Sequence, residues 1–112
     1  MARASLYKDV VFNESKPVIN VLFETSFTKE IRITMQTGTE MAKHQTSFPI
    51  VVEIVDGAIN FGVNGEVLNL QKGDLIALDG GVPHDLKAIE NSIIRLTLTK
   101  YDQTSRVEKA IG

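Results

Sequence analysis

The 112-residue sequence contains no cysteine and no tryptophan, and only 2 of its residues are histidine. The absence of cysteine excludes disulfide bonds and thiolate metal sites. No apolar run approaches the ~20 residues that a membrane-spanning helix requires, so no membrane span is predicted. The N-terminal segment also lacks the continuous apolar stretch of a secretory signal, and a cytoplasmic location is therefore expected.

The sequence also lacks a large excess of charge of either sign. It has 12 Lys and Arg against 14 Asp and Glu, which gives a formal net charge of −2. The basic residues are scattered, since Arg32, Lys43, Lys72 and Lys87 lie far apart along the chain. A nucleic-acid surface usually shows a basic stripe, so no nucleic-acid partner is predicted. The length favours a single domain over residues 1–112.

Short runs of β-branched and aromatic residues, separated by turn residues, fill most of the chain. Residues 30–36 alternate polar and apolar side chains, which indicates a half-buried strand. Asn64-Gly65 predicts a two-residue hairpin, because a type I′ turn needs positive φ at both positions. The predicted strands cover residues 18–23, 30–36, 50–55, 58–63, 66–70, 74–78, 84–89 and 92–98. Such spacing is typical of an all-β antiparallel sandwich or barrel.

The two ends differ from this pattern. Residues 1–17 mix charged and apolar side chains and are interpreted as a further edge strand. Residues 100–112 are polar and predict a C-terminal tail.

Glycine and histidine recur at specific spacings in two segments. In the first segment, Gly38, His44 and Gly57 match the first glycine, the first histidine and the last glycine of the first cupin motif. Thr46 stands at the position of the second histidine of that motif, and Ile50 stands at the position of its glutamate. The segment therefore resembles the cupin superfamily with two metal-ligand positions replaced.

The second segment matches the second cupin motif in the same register. Gly73, Gly81 and His84 fall on motif positions, whereas Asp79 replaces a proline and Ala88 replaces an asparagine. The resemblance covers about residues 30–98. It implies a single-domain jelly-roll β-barrel of the RmlC-like type, and small cupins of this type are usually homodimers.

The resemblance also implies a metal site that is incomplete. Metal-binding cupins hold a divalent ion with three histidines and a glutamate at one mouth of the barrel. His44 and His84 occupy two of these positions, but neutral Thr46 is a poor ligand and Ile50 cannot bind a metal. The expectation is no tightly bound cofactor, and at most a weakly bound zinc, nickel, copper or iron ion.

A ligand pocket is predicted around the same two histidines. Strand alternation places one face of each strand toward the barrel interior, and Met35, Phe61 and Leu96 are expected nearest the cavity. The predicted pocket residues are His44, His84, Thr46, Met35, Ile50, Phe61 and Leu96. A plainer interpretation remains beside this one, in which each histidine is a partly buried polar residue with a hydrogen-bond partner.

Three functions remain open from the sequence. The first is non-catalytic binding of a small molecule or a saccharide in the barrel cavity. The second is a metal-dependent small-molecule enzyme of the dioxygenase or isomerase type that uses His44 and His84. The third is an interaction module that dimerises through outward apolar side chains, with four candidates: Val51, Val55, Ile76 and Leu78. No catalytic residue is assigned.

Overall fold

The computed structural model of the protein describes residues 1–100 and contains nine β-strands there. The strands are β1 (Val18–Glu24), β2 (Thr28–Met35), β3 (Glu40–His44), β4 (Ile50–Asp56), β5 (Ala58–Val63), β6 (Glu66–Gln71), β7 (Leu75–Leu78), β8 (His84–Ala88) and β9 (Ser92–Thr99). They form a five-stranded sheet in the order β1-β2-β9-β4-β7 and a four-stranded sheet in the order β3-β8-β5-β6. All strand pairs are antiparallel, so the predicted all-β class is confirmed. The predicted polar tail lies outside the described residues from residue 101 onward.

The core forms where the inner faces of the two sheets meet. Because successive side chains of a strand point to opposite faces, every second residue of the central strands enters the core. The buried cluster comprises Ile31, Ile33, Met35, Ile50, Val52, Ile54, Ile59, Phe61, Val63, Leu86, Ala88 and Ile94. Burial of these apolar side chains holds the two sheets together and leaves the space between them densely filled.

The strand β3 was not predicted from the sequence. Its residues, EMAKH, show no apolar alternation, and only Met41 among them is partly buried. β3 is an edge strand of the four-stranded sheet and pairs only with β8 within the described residues. Backbone pairing with β8, rather than burial of its side chains, therefore makes this segment a strand.

The prediction of an edge strand within residues 1–17 is wrong, because no residue of this segment is in a strand. The segment runs over the outer face of β2 instead. There the buried Arg32 donates hydrogen bonds to the Lys8 carbonyl at 2.7 Å and to Asn20 Oδ1 at 3.1 Å, and Thr34 Oγ1 donates to the Val11 carbonyl at 2.6 Å. Side chains of β2, rather than a neighbouring strand, therefore take up the Lys8 and Val11 carbonyl groups.

Two of the outward positions proposed for an interface are also wrong. Ile76 lies opposite Val52 and Leu78 lies opposite Ile50, and directly opposed residues share one face of a sheet. Both side chains consequently pack against the core. Val51 does face outward, with 37% of its surface exposed.

Gly57 provides a test of this packing. Its φ is +92°, and an added Cβ would lie 2.5 Å from the Asn91 carbonyl oxygen and would overlap the Ser92 hydroxyl. Gly38 has a similar φ of +88° but has no atom within 4 Å of the added Cβ. We expect Gly57→Ala to lower the free energy of unfolding by roughly 3 kcal/mol, because strain and overlap add.

The matched control, Gly38→Ala, should lower the free energy of unfolding by only about 1 kcal/mol, because backbone strain is the only unfavourable effect at Gly38. Urea denaturation of both variants measures the difference. Equal losses would show that the close approach of Gly57 to the β8–β9 turn contributes nothing.

Candidate functional site

The two histidines meet on the inner side of the four-stranded sheet. His44 of β3 lies directly opposite His84 of β8, and their ring centroids are 4.4 Å apart with an interplanar angle of 59°. His84 is 3% exposed, whereas His44 is exposed. The pair therefore spans the boundary between the core and solvent.

A β-bulge in β3 aims His44 at His84. Met41 pairs with Leu86, and the next pair is His44 with His84, so β3 advances three residues where β8 advances two. In an unbroken strand, a residue three positions after Met41 would point to the opposite face. The extra residue in the bulge returns the His44 side chain to the inner face.

In both rings, Nδ1 forms a hydrogen bond with a backbone carbonyl. Nδ1 of His44 lies 2.7 Å from the Ala42 carbonyl oxygen, and Nδ1 of His84 lies 3.0 Å from the Val82 carbonyl oxygen. A carbonyl oxygen only accepts hydrogen bonds, so both Nδ1 atoms carry the proton. In a neutral ring, Nε2 then presents a lone pair, which is the arrangement that orients histidines toward a metal or a donor group.

Neither Nε2 atom has a hydrogen-bond partner within residues 1–100. In that part of the chain, Arg32 Nε is the only buried side-chain polar atom without a partner, so Nε2 of the buried His84 retains contact with a cavity or solvent. In each imidazole, Nδ1 therefore has a hydrogen-bond partner, whereas Nε2 has none within residues 1–100.

A small cavity lies between these rings and the five-stranded sheet. Its volume is about 20 Å³, and it is lined by Ile33, Met41, His44, Val52, His84, Leu86, Ile94 and Leu96. One water molecule needs roughly 10–15 Å³ of such space, whereas pockets for small molecules hold about 300–1,000 Å³. The cavity therefore has room for one ligand atom or one water molecule, and a saccharide ring does not fit inside.

Comparison with known proteins identifies the fold. No family model matches the sequence, and no curated protein matches it. An RmlC-like cupin from Desulfovibrio desulfuricans superposes with a TM-score of 0.81 at 20% identity, over 88% of this chain and 96% of that chain. The chain has the cupin fold.

Two further solved structures agree with this assignment. An RmlC-like cupin from Shewanella frigidimarina has a TM-score of 0.72 at 19% identity, over 81% of this chain and 82% of that chain. An uncharacterized double-stranded β-helix protein from Klebsiella pneumoniae has a TM-score of 0.76 at 20% identity, over 87% of each chain. Identities this low establish the cupin fold alone. In addition, residues 1–100 contain no helix that is long and apolar enough to cross a membrane.

Two of the predicted pocket residues contact the histidine site of this cupin barrel. Leu96 lines the small cavity. The Phe61 ring is stacked on His84, with ring centroids 5.6 Å apart and an interplanar angle of 6°. Phe61 therefore supports the His84 ring from behind, on the core side of the sheet.

The other predicted pocket residues lie elsewhere. Met35 and Ile50 are buried in the core, at 0% and 2% exposure, and neither lines the cavity. Thr46 Oγ1 donates a hydrogen bond to the Phe48 carbonyl at 3.1 Å and so stabilises the loop after β3. None of these three residues lines the cavity beside the histidine pair.

Met41 and Leu86 line the cavity but were not predicted to do so. Leu86 lies two residues after His84 on β8, so strand alternation alone places it on the same face. Met41 had no such signal, because β3 was not recognised and the bulge changes its alternation.

The donor set at the site is limited to the two imidazoles. Within residues 1–100, no group of three or more His, Cys, Asp or Glu side chains is placed to hold a metal ion. His44 and His84 fit two positions of a divalent ion, and water or a ligand would have to complete its coordination. Within the described residues, this donor set falls short of the four protein ligands of a closed structural centre.

The two histidines should contribute very differently to stability. His84 is buried and stacked on Phe61, so His84→Ala removes packing and leaves a cavity, and we expect a loss of roughly 2–3 kcal/mol in the free energy of unfolding. His44 is exposed, and His44→Ala should change the free energy of unfolding by less than about 0.5 kcal/mol. Urea denaturation monitored by circular dichroism measures the free energy of unfolding of both variants. A larger loss for His44→Ala than for His84→Ala would contradict the conclusion that His84 is the core-side histidine.

Proposed function

We propose that this cupin barrel is a non-catalytic binder of a small hydroxylated molecule, and that a ligand hydroxyl between His44 and His84 donates its one proton to Nε2 of either ring. The observation that carries the proposal is the pair of Nδ1 contacts to the Ala42 and Val82 carbonyls. In a neutral ring they leave Nε2 as an acceptor, and the two ring centroids are 4.4 Å apart. A hydroxyl group is the complementary donor.

The size of the cavity determines how such a ligand binds. About 20 Å³ admits one oxygen atom in the cavity beside the rings, and the rest of the molecule stays outside the barrel. A saccharide would then present a single hydroxyl group to the histidines from solvent. The ligand's oxygen would take a position that has room for one water molecule, and its hydrogen bond would gain from the adjoining apolar side chains.

Within residues 1–100, no carboxylate joins the two histidines in a cluster, and this favours binding over catalysis. General-base histidines are commonly oriented by an acidic partner, and nucleophilic catalysis needs an activated Ser, Cys or Thr. Here the Nδ1 atoms are held by neutral carbonyls, and the Thr46 hydroxyl is already bonded to the Phe48 carbonyl. These contacts support a recognition role for the pair.

Binding is tested by titrating chelator-treated protein with a panel of alcohols, polyols and monosaccharides. Histidine ¹⁵N chemical shifts are the readout, because Nε2 is the acceptor. At least one compound should give a saturable shift of both rings, which His44→Ala and His84→Phe abolish. The Phe replacement keeps the stacking on Phe61 and so preserves the fold.

The control variant is Thr46→Val, which removes a hydroxyl near the pair but not in the proposed contact. It should bind like the unmodified protein. If no compound in the panel shifts the histidine resonances saturably, the binding proposal fails.

A weak divalent-metal site is the second candidate function. It is favoured by the same Nδ1 contacts, because metal-ligating histidines commonly donate their second ring N–H to a carbonyl or carboxylate. His44 and His84 would supply two imidazole ligands to zinc, nickel, copper or iron, which this donor set does not distinguish. A bound ion would supply Lewis-acid chemistry to an isomerase, whereas a dioxygenase would need a redox-active ion such as iron, nickel or copper.

Elemental analysis of tag-free protein distinguishes the non-catalytic binder from the metal-dependent enzyme. We expect no stoichiometric metal after dialysis, because residues 1–100 bring only two protein ligands together. Added zinc should bind weakly, and the binding should be lost in His44→Ala. Stoichiometric metal that survives dialysis and disappears in that variant would instead support the enzyme.

The homodimer and the cytoplasmic location remain predictions. In support of self-association, exposed Val51 and Leu75 lie on the outer face of neighbouring strands β4 and β7, at 37% and 62% exposure. Apolar side chains on such a face are candidates for a subunit contact.

A further inference from the structure

The edge strand β1 extends beyond the sheet that should cover it. Ile19 lies opposite Ile33 and Val21 lies opposite Ile31, so these side chains share the inner face of the five-stranded sheet. Ile33 and Ile31 are buried at 3% and 6% exposure, but Ile19 and Val21 are 56% and 55% exposed. The four-stranded sheet therefore ends at β3 and leaves the inner face of β1 uncovered.

A groove of about 420 Å³ runs between β1 and the exposed strand β3. Its apolar lining comes from Pro17, Ile19, Met41 and Ala42, and His44 also lines it. Met41 and His44 line the small cavity beside His84 as well. The groove is shallow and open to solvent, and these two shared residues join it to the histidine pair.

The rim of this groove carries net positive charge. Lys16, Lys43 and Glu40 all border it. Glu40 is paired with Lys87 at 3.8 Å, whereas within residues 1–100 neither Lys16 nor Lys43 forms an ion pair. A negatively charged group on a ligand would therefore be attracted to the rim, most strongly at low ionic strength.

We propose that the ligand class is an aliphatic hydroxy carboxylic acid that spans the groove. Its hydroxyl group donates to the histidine pair, its hydrocarbon chain lies on Ile19 and Met41, and its carboxylate faces Lys16 and Lys43. The inference rests on the proposed function, because it takes the hydroxyl contact at His44 and His84 as the anchor. It adds the apolar chain and the charge, which the pair alone does not specify.

Three probes separate these contributions in chelator-treated protein: ethanol, 1-hexanol and 6-hydroxyhexanoate. Ethanol tests the hydroxyl contact, 1-hexanol adds the chain, and 6-hydroxyhexanoate adds the carboxylate. Histidine ¹⁵N shifts report the contact, and their dependence on probe concentration gives the dissociation constants. The variants are Ile19→Ser for the chain and Lys16→Ala/Lys43→Ala for the carboxylate.

The chain should strengthen binding by roughly tenfold from ethanol to 1-hexanol, because each methylene is partly removed from water in an open groove. The carboxylate should add a further two- to fivefold at low salt, about what exposed charge pairs contribute, and this gain should vanish at high salt. Ile19→Ser should remove most of the chain effect without changing ethanol binding. The lysine double variant should make 6-hydroxyhexanoate no better than 1-hexanol.

Leu75→Ser is the matched control, because Leu75 is an exposed apolar residue of the edge strand β7 outside the groove. It should leave all three dissociation constants unchanged. Histidine shifts with equal affinities for ethanol and 1-hexanol would overturn the groove assignment and leave the hydroxyl contact in place. Saturable binding of 1-hexanol that does not shift the histidines would instead overturn the hydroxyl anchor. Equal affinities for 1-hexanol and 6-hydroxyhexanoate at low salt would overturn the hydroxy-acid class.

Discussion

The bulged pairing of β3 with β8 is the interaction on which the site depends. β3 buries little apolar surface, and its place in the sheet comes from backbone hydrogen bonds to one neighbour. The bulge turns His44 inward, where it meets His84 at a ring distance of 4.4 Å. Without the extra residue, His44 would face solvent on the outer side of the sheet, and His84 would remain as a single buried histidine supported by Phe61.

The contacts of both Nδ1 atoms with backbone carbonyls determine which ring nitrogen is left to accept a hydrogen bond. Backbone carbonyls cannot change their role as acceptors, so they leave Nε2 as the nitrogen that faces any ligand. Apolar side chains line the cavity beside the pair, and a hydrogen bond formed in such surroundings is stronger than one in bulk water. Tight packing limits the interior cavity to the size of about one atom, and apolar surface is left on the exterior, where β1 extends past β3.

Most of the strands were predictable because their side chains alternate between a buried and a solvated face. β4 illustrates this, since Ile50, Val52 and Ile54 enter the core while Val51 faces outward. β3 escaped prediction because an edge strand needs no apolar alternation to be held by its neighbour. The segment 1–17 was misjudged for a related reason, since the buried Arg32 takes up its carbonyl groups through side-chain contacts that no local pattern reveals.

The sequence by itself determined the all-β class, most strand positions, and the proximity of the two histidines through the motif register around His44 and His84. Only the tertiary structure decided that Met35 and Ile50 fill the core, that the interior cavity shrinks to about 20 Å³, and that Ile19 is left uncovered. The physical reason is that alternation specifies which face a side chain occupies. How completely two faces close on each other depends on sheet widths and side-chain volumes summed over distant strands.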